Sequence, residues 1–436
     1  MKYSLYNSIL PLTKQSSMAY NAVSDKFIIF NNSLKQLFKE SPTKAKDCDA
    51  RFYEQLENGG FLVNDDIDEE KEIVSLGRKF CSIESDYRLI INPTTNCNFR
   101  CWYCYENHSS KSKMNEETVL RIEKMLWNIG HDEKIKTLSL SFFGGEPLLY
   151  YEDTVRPLID TVRKVGKSCN LRYSIHFTTN GFLVNNRMVE HLAEVADEKT
   201  FQITLDGHRE QHNKVRFSTS GRGSYDRILK NIKLLLSHKM AVGLRINYTK
   251  ENASSIIDIL TDLKDIPSED RKLFNVDFQK VWQENGLSSN DKTINDAISS
   301  FREEFASVSD YYSHVNAFRH PCYADMVNEC VVNFNGDVYK CTARDFTLEN
   351  SLGHLSEKGE VVWDDPKLME HRLAYKFDRA VCRKCRIFPL CGGGCAQTSK
   401  EADKYAYTKC SGELEKDEII LSRFYNNVIR PSETKK

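Results

Sequence analysis

Three cysteines lie within eight residues of one another, at Cys97, Cys101 and Cys104, directly after the apolar run 89–91. Gaps of three and then two residues suit three corners of an iron–sulfur cluster and leave one iron without a protein ligand. Such an iron can bind a substrate or a cofactor. Zinc is the alternative for these thiols, but zinc prefers four ligands, and only His108 lies nearby in the sequence.

The sequence has 14 cysteines, and most of the others follow residue 320. Because the chain opens without an export signal, we interpret them as metal ligands rather than as disulfides. Cys48, Cys81 and Cys169 stand alone and are expected to be small buried hydrophobic residues. Two four-thiolate sites, of zinc or of iron and sulfur, can be formed from Cys322, Cys330, Cys341, Cys382, Cys385, Cys391, Cys395 and Cys410.

Composition excludes several classes of function. The chain has 436 residues, 28% of them charged, and a formal net charge of −1, so no global electrostatic argument favours nucleic acid or an anionic membrane as the partner. No apolar run approaches the ~20 residues that a membrane-spanning helix needs. The sequence therefore predicts a cytoplasmic globular protein with neither nucleic acid nor membrane as its main partner.

From Asp86 onward, strand patterns alternate with amphipathic helix patterns, which favours a parallel α/β sheet. The predicted strands are 87–92, 137–143, 171–178, 201–205, 242–248 and 274–281. The predicted helices are 117–129, 154–164, 187–195, 224–238 and 254–263, with Ser224 as the N-cap of the fourth. Six strands are too few for a closed eight-unit barrel, so we expect a partial (β/α)6 TIM barrel that is open on one side.

Polar or glycine-rich motifs follow four of these strands. They are Cys97 after the first, Gly144-Gly145-Glu146-Pro147 after the second, Thr179-Asn180-Gly181 after the third and Asp206-Gly207 after the fourth. Glycine-rich turns commonly end strands without any further role. Since the C-terminal ends of parallel strands lie together, however, four such motifs in a row predict one site.

Each motif has its own chemical logic. Without side chains, Gly144 and Gly145 allow the backbone to approach a ligand, and Glu146 offers a carboxylate to an ammonium group. The guanidinium of Arg216, with Thr204 nearby in the sequence, suits a carboxylate. These groups match the two charged ends of an amino acid, such as the methionine portion of S-adenosylmethionine (SAM).

The three-cysteine loop, with Tyr103 before its last cysteine, and the Gly-Gly-Glu-Pro motif resemble the radical SAM superfamily. The resemblance implies a [4Fe–4S] cluster on Cys97, Cys101 and Cys104 that cleaves SAM to a 5′-deoxyadenosyl radical. It also implies that Tyr103 contacts adenine, that Gly145 and Glu146 meet the amine, and that Thr204 and Arg216 contact ribose and carboxylate. The predicted cofactor contacts are Tyr103, Gly144, Gly145, Glu146, Pro147, Asn180, Thr204 and Arg216.

The later cysteines resemble the SPASM extension of radical SAM enzymes. Thirteen residues separate Cys322 from Gly336, four more separate Gly336 from Cys341, and a compact block and Cys410 follow. The resemblance implies two fully ligated auxiliary clusters that transfer electrons, hence three [4Fe–4S] clusters and about twelve irons per chain. By position, the first would be held by Cys322, Cys330, Cys341 and Cys395, and the second by Cys382, Cys385, Cys391 and Cys410.

Residues 1–86 resemble, more loosely, the small winged-helix α+β domains that bind leader peptides in peptide maturases. The predicted domains are this leader-recognition domain at 1–86, a radical SAM core at 87–317, a SPASM domain at 318–411 and a C-terminal helix and tail at 412–436. The implied function is maturation of a ribosomally synthesised precursor peptide by a thioether, ether or carbon–carbon cross-link. The implied partners are a precursor peptide with its leader and a flavodoxin- or ferredoxin-type electron donor.

Two alternatives remain at this point. An anaerobic sulfatase-maturing enzyme would oxidise Cys or Ser to formylglycine, but that group has an aspartate after the last hairpin cysteine, where this chain has Thr342. Asp345, three residues further on, is the candidate base for that reaction. A non-catalytic electron-transfer or peptide-binding protein is the other alternative, and the intact motif at 144–147 argues against it.

Overall fold

The computed structural model describes residues 1–195, 198–284, 291–310, 313, 315, 320–401 and 415–429. The chain divides into two compact units. The first unit contains Met1–Ile83, Tyr312–Val327 and Lys367–Lys436, and the second contains Glu84–Tyr311 and Asn328–Pro366. The domain boundaries drawn above from the sequence stay a prediction.

The described strands are, in chain order, β1 Lys2–Tyr3, β2 Asn7–Pro11, β3 Ser16–Asn21, β4 Lys26–Asn31, β5 Leu62–Val63, β6 Asp86–Asn92, β7 Thr137–Phe142, β8 Arg172–Thr179, β9 Glu198–Leu205, β10 Ala241–Tyr248, β11 Phe274–Lys280, β12 Val308–Ser309, β13 Glu329–Asn333, β14 Asp337–Tyr339, β15 Gly353–Leu355 and β16 Val361–Trp363.

The described α-helices are α1 Lys35–Lys39, α2 Pro42–Cys48, α3 Ala50–Asn58, α4 Glu69–Cys81, α5 Glu116–His131, α6 Arg156–Cys169, α7 Asn186–Ala193, α8 Arg209–Val215, α9 Tyr225–Ser237, α10 Ile259–Leu263, α11 Lys292–Glu304, α12 Leu368–Phe377, α13 Ala380–Arg383, α14 Phe388–Cys391, α15 Ala396–Glu401 and α16 Lys416–Phe424. Among the described residues, no helix is both long and apolar enough to cross a membrane.

The second unit is built on one mixed sheet of eleven strands in the order β12-β11-β10-β9-β8-β7-β6-β13-β14-β15-β16. Strands β6 to β12 are parallel, β13 pairs parallel to β6, and β14 to β16 continue antiparallel. Within the described residues the sheet does not close on itself. The predicted α/β class is therefore confirmed, and the parallel strands predicted to form a partial (β/α)6 barrel belong to a large mixed sheet.

The core of the second unit follows the register of its parallel strands. Phe142, Phe177 and Phe201 are paired in register on β7, β8 and β9, and their rings stack with centroids 5.2 and 4.8 Å apart. All three side chains are fully buried. Such rings contribute large apolar areas to the core and hold neighbouring strand ends at a constant level. The motifs that follow these strands consequently meet at one edge of the sheet.

Two local predictions need correction. The predicted helix 254–263 is a 3-10 helix at Ala253–Asp258 followed by the short helix α10. Ser224 precedes α9 as predicted, but its hydroxyl does not cap that helix and instead donates a 2.5 Å hydrogen bond to the carbonyl of Arg216. The hydroxyl of Ser224 thus binds the Arg216 carbonyl instead of the first turn of α9, and this bond links α9 to a candidate site residue.

In the first unit, the sheet β2-β3-β4 is antiparallel and is the middle layer. On one of its faces Ala19 and Phe30 pack with the helices α1 and α3. On the other face Met18 and Tyr20 share a core with residues of α12, α14 and α16. The C-terminal helix predicted within 412–436 is α16 and buries Ile419 in that core. The strands and helices at the start of the chain thus depend on its C-terminal segment for their packing, and their likeness to a winged helix stays a prediction.

Candidate active site

The three-cysteine loop follows β6 directly. The Cys97 sulfur is almost buried and accepts the backbone N–H of Phe99 at 3.3 Å. Burial raises the pKa of Cys97 to about 12 and that of Cys104 to about 11, and the charge of Cys101 contributes to both increases. The three thiols are therefore close enough to interact electrostatically, and without metal they keep their protons at neutral pH.

These thiols fit an iron–sulfur cluster. An N–H donated to sulfur stabilises a metal-bound thiolate, and the positive charge of Arg216 opposes the increase in the pKa of all three cysteines. In the described part of the chain, no three His, Cys, Asp or Glu side chains converge as the ligands of a single metal ion do. A cluster bound here would be held by Cys97, Cys101 and Cys104 and would supply the electron that cleaves SAM.

The Gly-Gly-Glu-Pro motif lies against the strand that precedes the cysteine loop. The N–H of Gly145 donates to the carbonyl of Thr94 at 3.0 Å, and that of Glu146 to the carbonyl of Asn96 at 2.9 Å. A Cβ on Gly145 would lie 2.3 Å from the Asn96 oxygen, and Gly144 has a φ of 103°. Glycine is required because the chain's own backbone approaches here. The predicted approach of a ligand to Gly144 and Gly145 stays a prediction.

Glu146 joins the ends of β7 and β8. Its carboxylate is fully buried and accepts hydrogen bonds from the Thr179 hydroxyl at 2.7 Å, the Asn180 N–H at 2.8 Å and the Leu148 N–H at 3.0 Å. Burial raises the pKa of this carboxyl group, and the same hydrogen bonds oppose the increase. In this structure Glu146 positions neighbouring strand ends, and its contact with an amine remains a prediction. Pro147 is buried beside it at the start of a short 3-10 helix.

Asn180 connects this strand end to the cysteine loop. Its side-chain amide donates to the Asn98 side-chain oxygen at 2.8 Å and lies 3.9 Å from the Cys97 sulfur. Asn98, which we did not single out in the sequence, thus supports the first thiol. Thr204, predicted to face the cofactor, lies half-buried on β9 opposite Arg245 of β10.

Tyr103 is the centre of a buried polar network. Its hydroxyl donates to Asp206 at 2.5 Å and accepts from Arg216 at 2.6 Å and from the Asn247 amide at 3.2 Å. Burial raises the pKa of Asp206, and the positive charge of Arg216 opposes that rise. The sequence placed Asp206 at a strand end but indicated no role for it or for Asn247. Tyr103 and Arg216, predicted as separate SAM contacts, are hydrogen-bonded to each other.

A second chain of hydrogen bonds holds the backbone of Arg216. The Ser224 hydroxyl donates to its carbonyl, and the buried ring of His212 contacts the same hydroxyl at 2.9 Å. The guanidinium lies over the Phe99 ring, 5.9 Å from its centroid. This fixed cation among three thiols and two carboxylates suits an anionic ligand or cluster.

A cavity of about 420 Å³ opens beside the cysteine loop. Trp102 of the loop forms one wall, and the rest is formed by segments that follow β9, β10 and β11. Its lining residues are Trp102, Gln211, Val215, Thr249, Glu251, Asn252, Gln283 and Glu284. Gln283 also donates to the Tyr103 carbonyl at 2.9 Å. The cavity is thus attached to the loop that carries the thiols and can take a small polar ligand.

Two carboxylates flank the loop on its C-terminal side. Asp345, the candidate base, accepts the N–H groups of Asn107 and Phe346 at 3.0 Å each. Glu106 is almost buried, and burial together with the charge of Asp345 raises its pKa to about 8. No role was predicted for Glu106, although it lies two residues after Cys104. The role of Asp345 as a base stays a prediction.

The cysteines assigned to auxiliary clusters differ in exposure. In the second unit Cys330 is fully buried, and Cys341 is half-buried after the hairpin of β13 and β14, whose turn contains Gly336 at φ 87°. In the first unit the half-buried thiols are Cys382, Cys385 and Cys391, and the exposed thiols are Cys322 and Cys395. Cys410, predicted as a ligand, lies outside the described residues.

Comparison with known families gives the same assignment as the motifs. The model of the radical SAM superfamily matches residues 91–263, and that of the SPASM iron–sulfur cluster-binding domain matches residues 322–386. This chain is a radical SAM enzyme with a SPASM domain. Both domains imply that the enzyme uses SAM and [4Fe–4S] clusters.

Proteins similar to this radical SAM enzyme include a sulfatase-maturating enzyme and two whose structures contain a bound peptide. A cysteine-type anaerobic sulfatase-maturating enzyme of Clostridium novyi is 26% identical over 347 residues, 72% of this chain and 88% of the relative. Native anSMEcpe with bound AdoMet and Cp18Cys peptide has a TM-score of 0.60 at 21% identity and covers 80% of this chain and 100% of its own. The structure of Streptococcus suis SuiB bound to precursor peptide SuiA has a TM-score of 0.56 at 16% identity. The match covers 95% of this chain and 100% of the SuiB chain. The two structures share the fold of this chain.

Proposed function

We propose that this enzyme matures a ribosomally synthesised precursor peptide by forming a thioether, ether or carbon–carbon cross-link. The supporting observation is the extent of the likeness to SuiB, which covers 95% of the chain, against 80% for anSMEcpe. The larger coverage means that the fold shared with SuiB extends over more of this chain, and SuiB is bound to a precursor peptide. A cytoplasmic location, a flavodoxin- or ferredoxin-type donor and a total of three clusters belong to the same proposal.

The chemistry divides between the cofactors and the chain. When bound, the cluster and SAM supply a 5′-deoxyadenosyl radical that takes one hydrogen atom from the peptide. The cross-link also releases a proton and an electron, for which Glu106 or Asp345 and an auxiliary cluster are the proposed acceptors. Arg216 would hold the SAM carboxylate, and the cavity beside Trp102 would exclude water from the adenosyl portion. Tyr103 would orient the ligand from the network with Asp206.

A leader peptide can pair with the outer strand β4. Both β2 and β4 are edges of the three-stranded sheet, but β2 ends in Pro11, which has no N–H to donate. The backbone N–H of Asn32, one residue after β4, donates to the carbonyl of Gln15, one residue before β3. Because hydrogen-bonded pairs alternate along antiparallel strands, the N–H of Ile29, three residues before Asn32, is directed outward. Its side chain is 55% exposed.

This geometry gives a specific binding test. Ile29→Pro removes one outward N–H without breaking the ladder between β3 and β4. We therefore expect the leader of the precursor peptide encoded by a neighbouring reading frame to bind at least ten-fold more weakly, which corresponds to a loss of about 1.4 kcal/mol. Ile29→Ala keeps the N–H and should bind within about three-fold of wild type. Deletion of residues 1–86 is unsuitable, because it removes half of a core shared with α16. Equal binding by all three proteins would refute pairing at β4.

The reaction itself is tested by mass. Anaerobically reconstituted enzyme, SAM and reductant should convert the precursor to a product that lacks two hydrogen atoms per cross-link. Sulfatase maturation is the second candidate because of the Clostridium novyi relative. It would convert a peptide cysteine to formylglycine and change the mass differently. Thr342 follows Cys341 where that group has an aspartate, and this difference weighs against that reaction. Formylglycine with no cross-link would overturn the proposal.

A further inference from the structure

Cys330 differs from every other described cysteine assigned to an auxiliary cluster. It lies on β13, paired with Leu89 of β6, in a strand with hydrogen-bonded neighbours on both sides. It is fully buried, whereas the other six described candidates are exposed or half-buried. Cys330 belongs to the main hydrophobic cluster of the second unit, together with Val332 on the same face of the strand and Met125 of α5.

The surroundings of the Cys330 sulfur are largely apolar. The Tyr87 hydroxyl lies 3.6 Å from the sulfur. Leu89, Val332 and Val338 belong to the same cluster. An iron at this sulfur would require the inorganic core of a cluster to enter a close-packed apolar layer.

Cys97, Cys341 and Cys395 show a different pattern. Each accepts a backbone N–H from a residue two or three positions later: Phe99 at 3.3 Å, Ala343 at 3.4 Å and Thr398 at 3.5 Å, respectively. Sulfurs that bind iron are commonly stabilised by such N–H groups, which also tune the potential of the cluster. Cys330 lies in a regular strand, where the backbone N–H groups belong to the sheet.

We propose that Cys330 is a structural thiol of the sheet core and not a cluster ligand. The SPASM resemblance then leaves three of the four thiols that it implied for the first auxiliary cluster. This inference depends on the SPASM domain and not on the peptide that the enzyme modifies.

Iron content tests the ligand assignment. Wild-type enzyme should contain about twelve irons per chain, and Cys330→Ala should contain the same number, whereas Cys341→Ala should lose about four. Cys330→Val provides a second core variant in case alanine packs poorly. Far-ultraviolet circular dichroism and the melting temperature verify that each variant folds. A folded Cys330→Ala or Cys330→Val protein that loses iron to the same extent as Cys341→Ala would overturn the proposal.

Alkylation of the metal-free full-length protein provides a readout that does not depend on iron loading. Iodoacetamide should modify Cys341 readily and Cys330 only after unfolding, as measured by peptide mass spectrometry. Equal modification of both cysteines in the folded protein would refute the buried position.

Discussion

The hydroxyl of Tyr103 donates a 2.5 Å hydrogen bond to Asp206 and accepts one of 2.6 Å from Arg216. This arrangement connects the cysteine loop to the end of β9. Asp206 is 1% exposed, and its second oxygen has no hydrogen-bond partner among the described residues. The phenol thus provides both an acceptor for a buried cation and a donor for a buried anion, and it determines where the loop lies.

Tyr103→Phe should destabilise the enzyme by about 1 to 3 kcal/mol, because two charged groups lose a buried hydrogen-bond partner. The formation of 5′-deoxyadenosine should also slow down. Urea unfolding and chromatography of the nucleoside measure the two effects. Tyr105→Phe is the matched control, since its hydroxyl reaches the Thr342 carbonyl at an exposed position and its loss should cost less than about 1 kcal/mol. Equal effects of the two variants would contradict the role given to Tyr103.

Replacing Cys97, Cys101 and Cys104 together by alanine should remove about four irons per chain and abolish 5′-deoxyadenosine formation. The reason is that these thiols are the proposed ligands of the cluster that cleaves SAM. Colorimetric iron determination and an anaerobic turnover assay provide the measurements. Cys48→Ala, at an exposed position on α2, should leave both values unchanged. Nucleoside release by the triple variant would show that another cluster cleaves SAM.

His212 should make stability depend on pH. Burial, assisted by the charge of Arg216, keeps the pKa of His212 well below its ordinary value, so its ring stays neutral and contacts the Asp206 N–H at 3.2 Å. Below pH 6.5 the unfolded chain binds a proton that the folded chain does not. Stability should therefore fall with decreasing pH below that value, by up to about 1.4 kcal/mol per pH unit.

Urea unfolding at several pH values between about 5 and 8 measures this dependence, and His212→Asn is the comparison variant. The asparagine has no titrating proton, so its stability profile should be flatter in this range even if the variant is less stable throughout. Parallel profiles of the two proteins would assign the pH dependence to other groups.

Asp325→Asn should be strongly destabilising. This carboxylate is 1% exposed and accepts hydrogen bonds from Arg372 at 3.0 Å and from Lys376 at 2.7 Å. Burial lowers the pKa of Lys376, but the charge and hydrogen bond of Asp325 outweigh it and raise that pKa. Removing the anion leaves two buried cations, at an expected cost of about 3 to 5 kcal/mol.

The matched control for Asp325→Asn is Asp226→Asn, which breaks an exposed ion pair with Arg209 at 2.8 Å. Exposed pairs are worth less than about 1 kcal/mol, so the melting temperature should barely change. Similar shifts for the two variants would mean that the buried carboxylate is not an essential counter-charge for Arg372 and Lys376.

The sequence by itself determined the parts that depend on local pattern. Cysteine spacing, the Gly-Gly-Glu-Pro motif and the alternation of strands and helices are readable because each involves residues a few positions apart. The meeting of motifs at one sheet edge followed from the rule for parallel strands. Phe142, Phe177 and Phe201 in register illustrate how the core then reproduces the predicted strands.

Tertiary structure alone decided which groups face one another. Tyr103 and Asp206 are 103 positions apart, and Glu146 and Asn180 are 34 apart, so their contacts depend on sheet register and loop closure. The same holds for Cys330. The sequence assigned it to a cluster by its position, whereas the fold places it on a strand within the apolar core. Pattern states which chemistry a residue is capable of. Burial and partners, set by packing between distant segments, determine whether it is used.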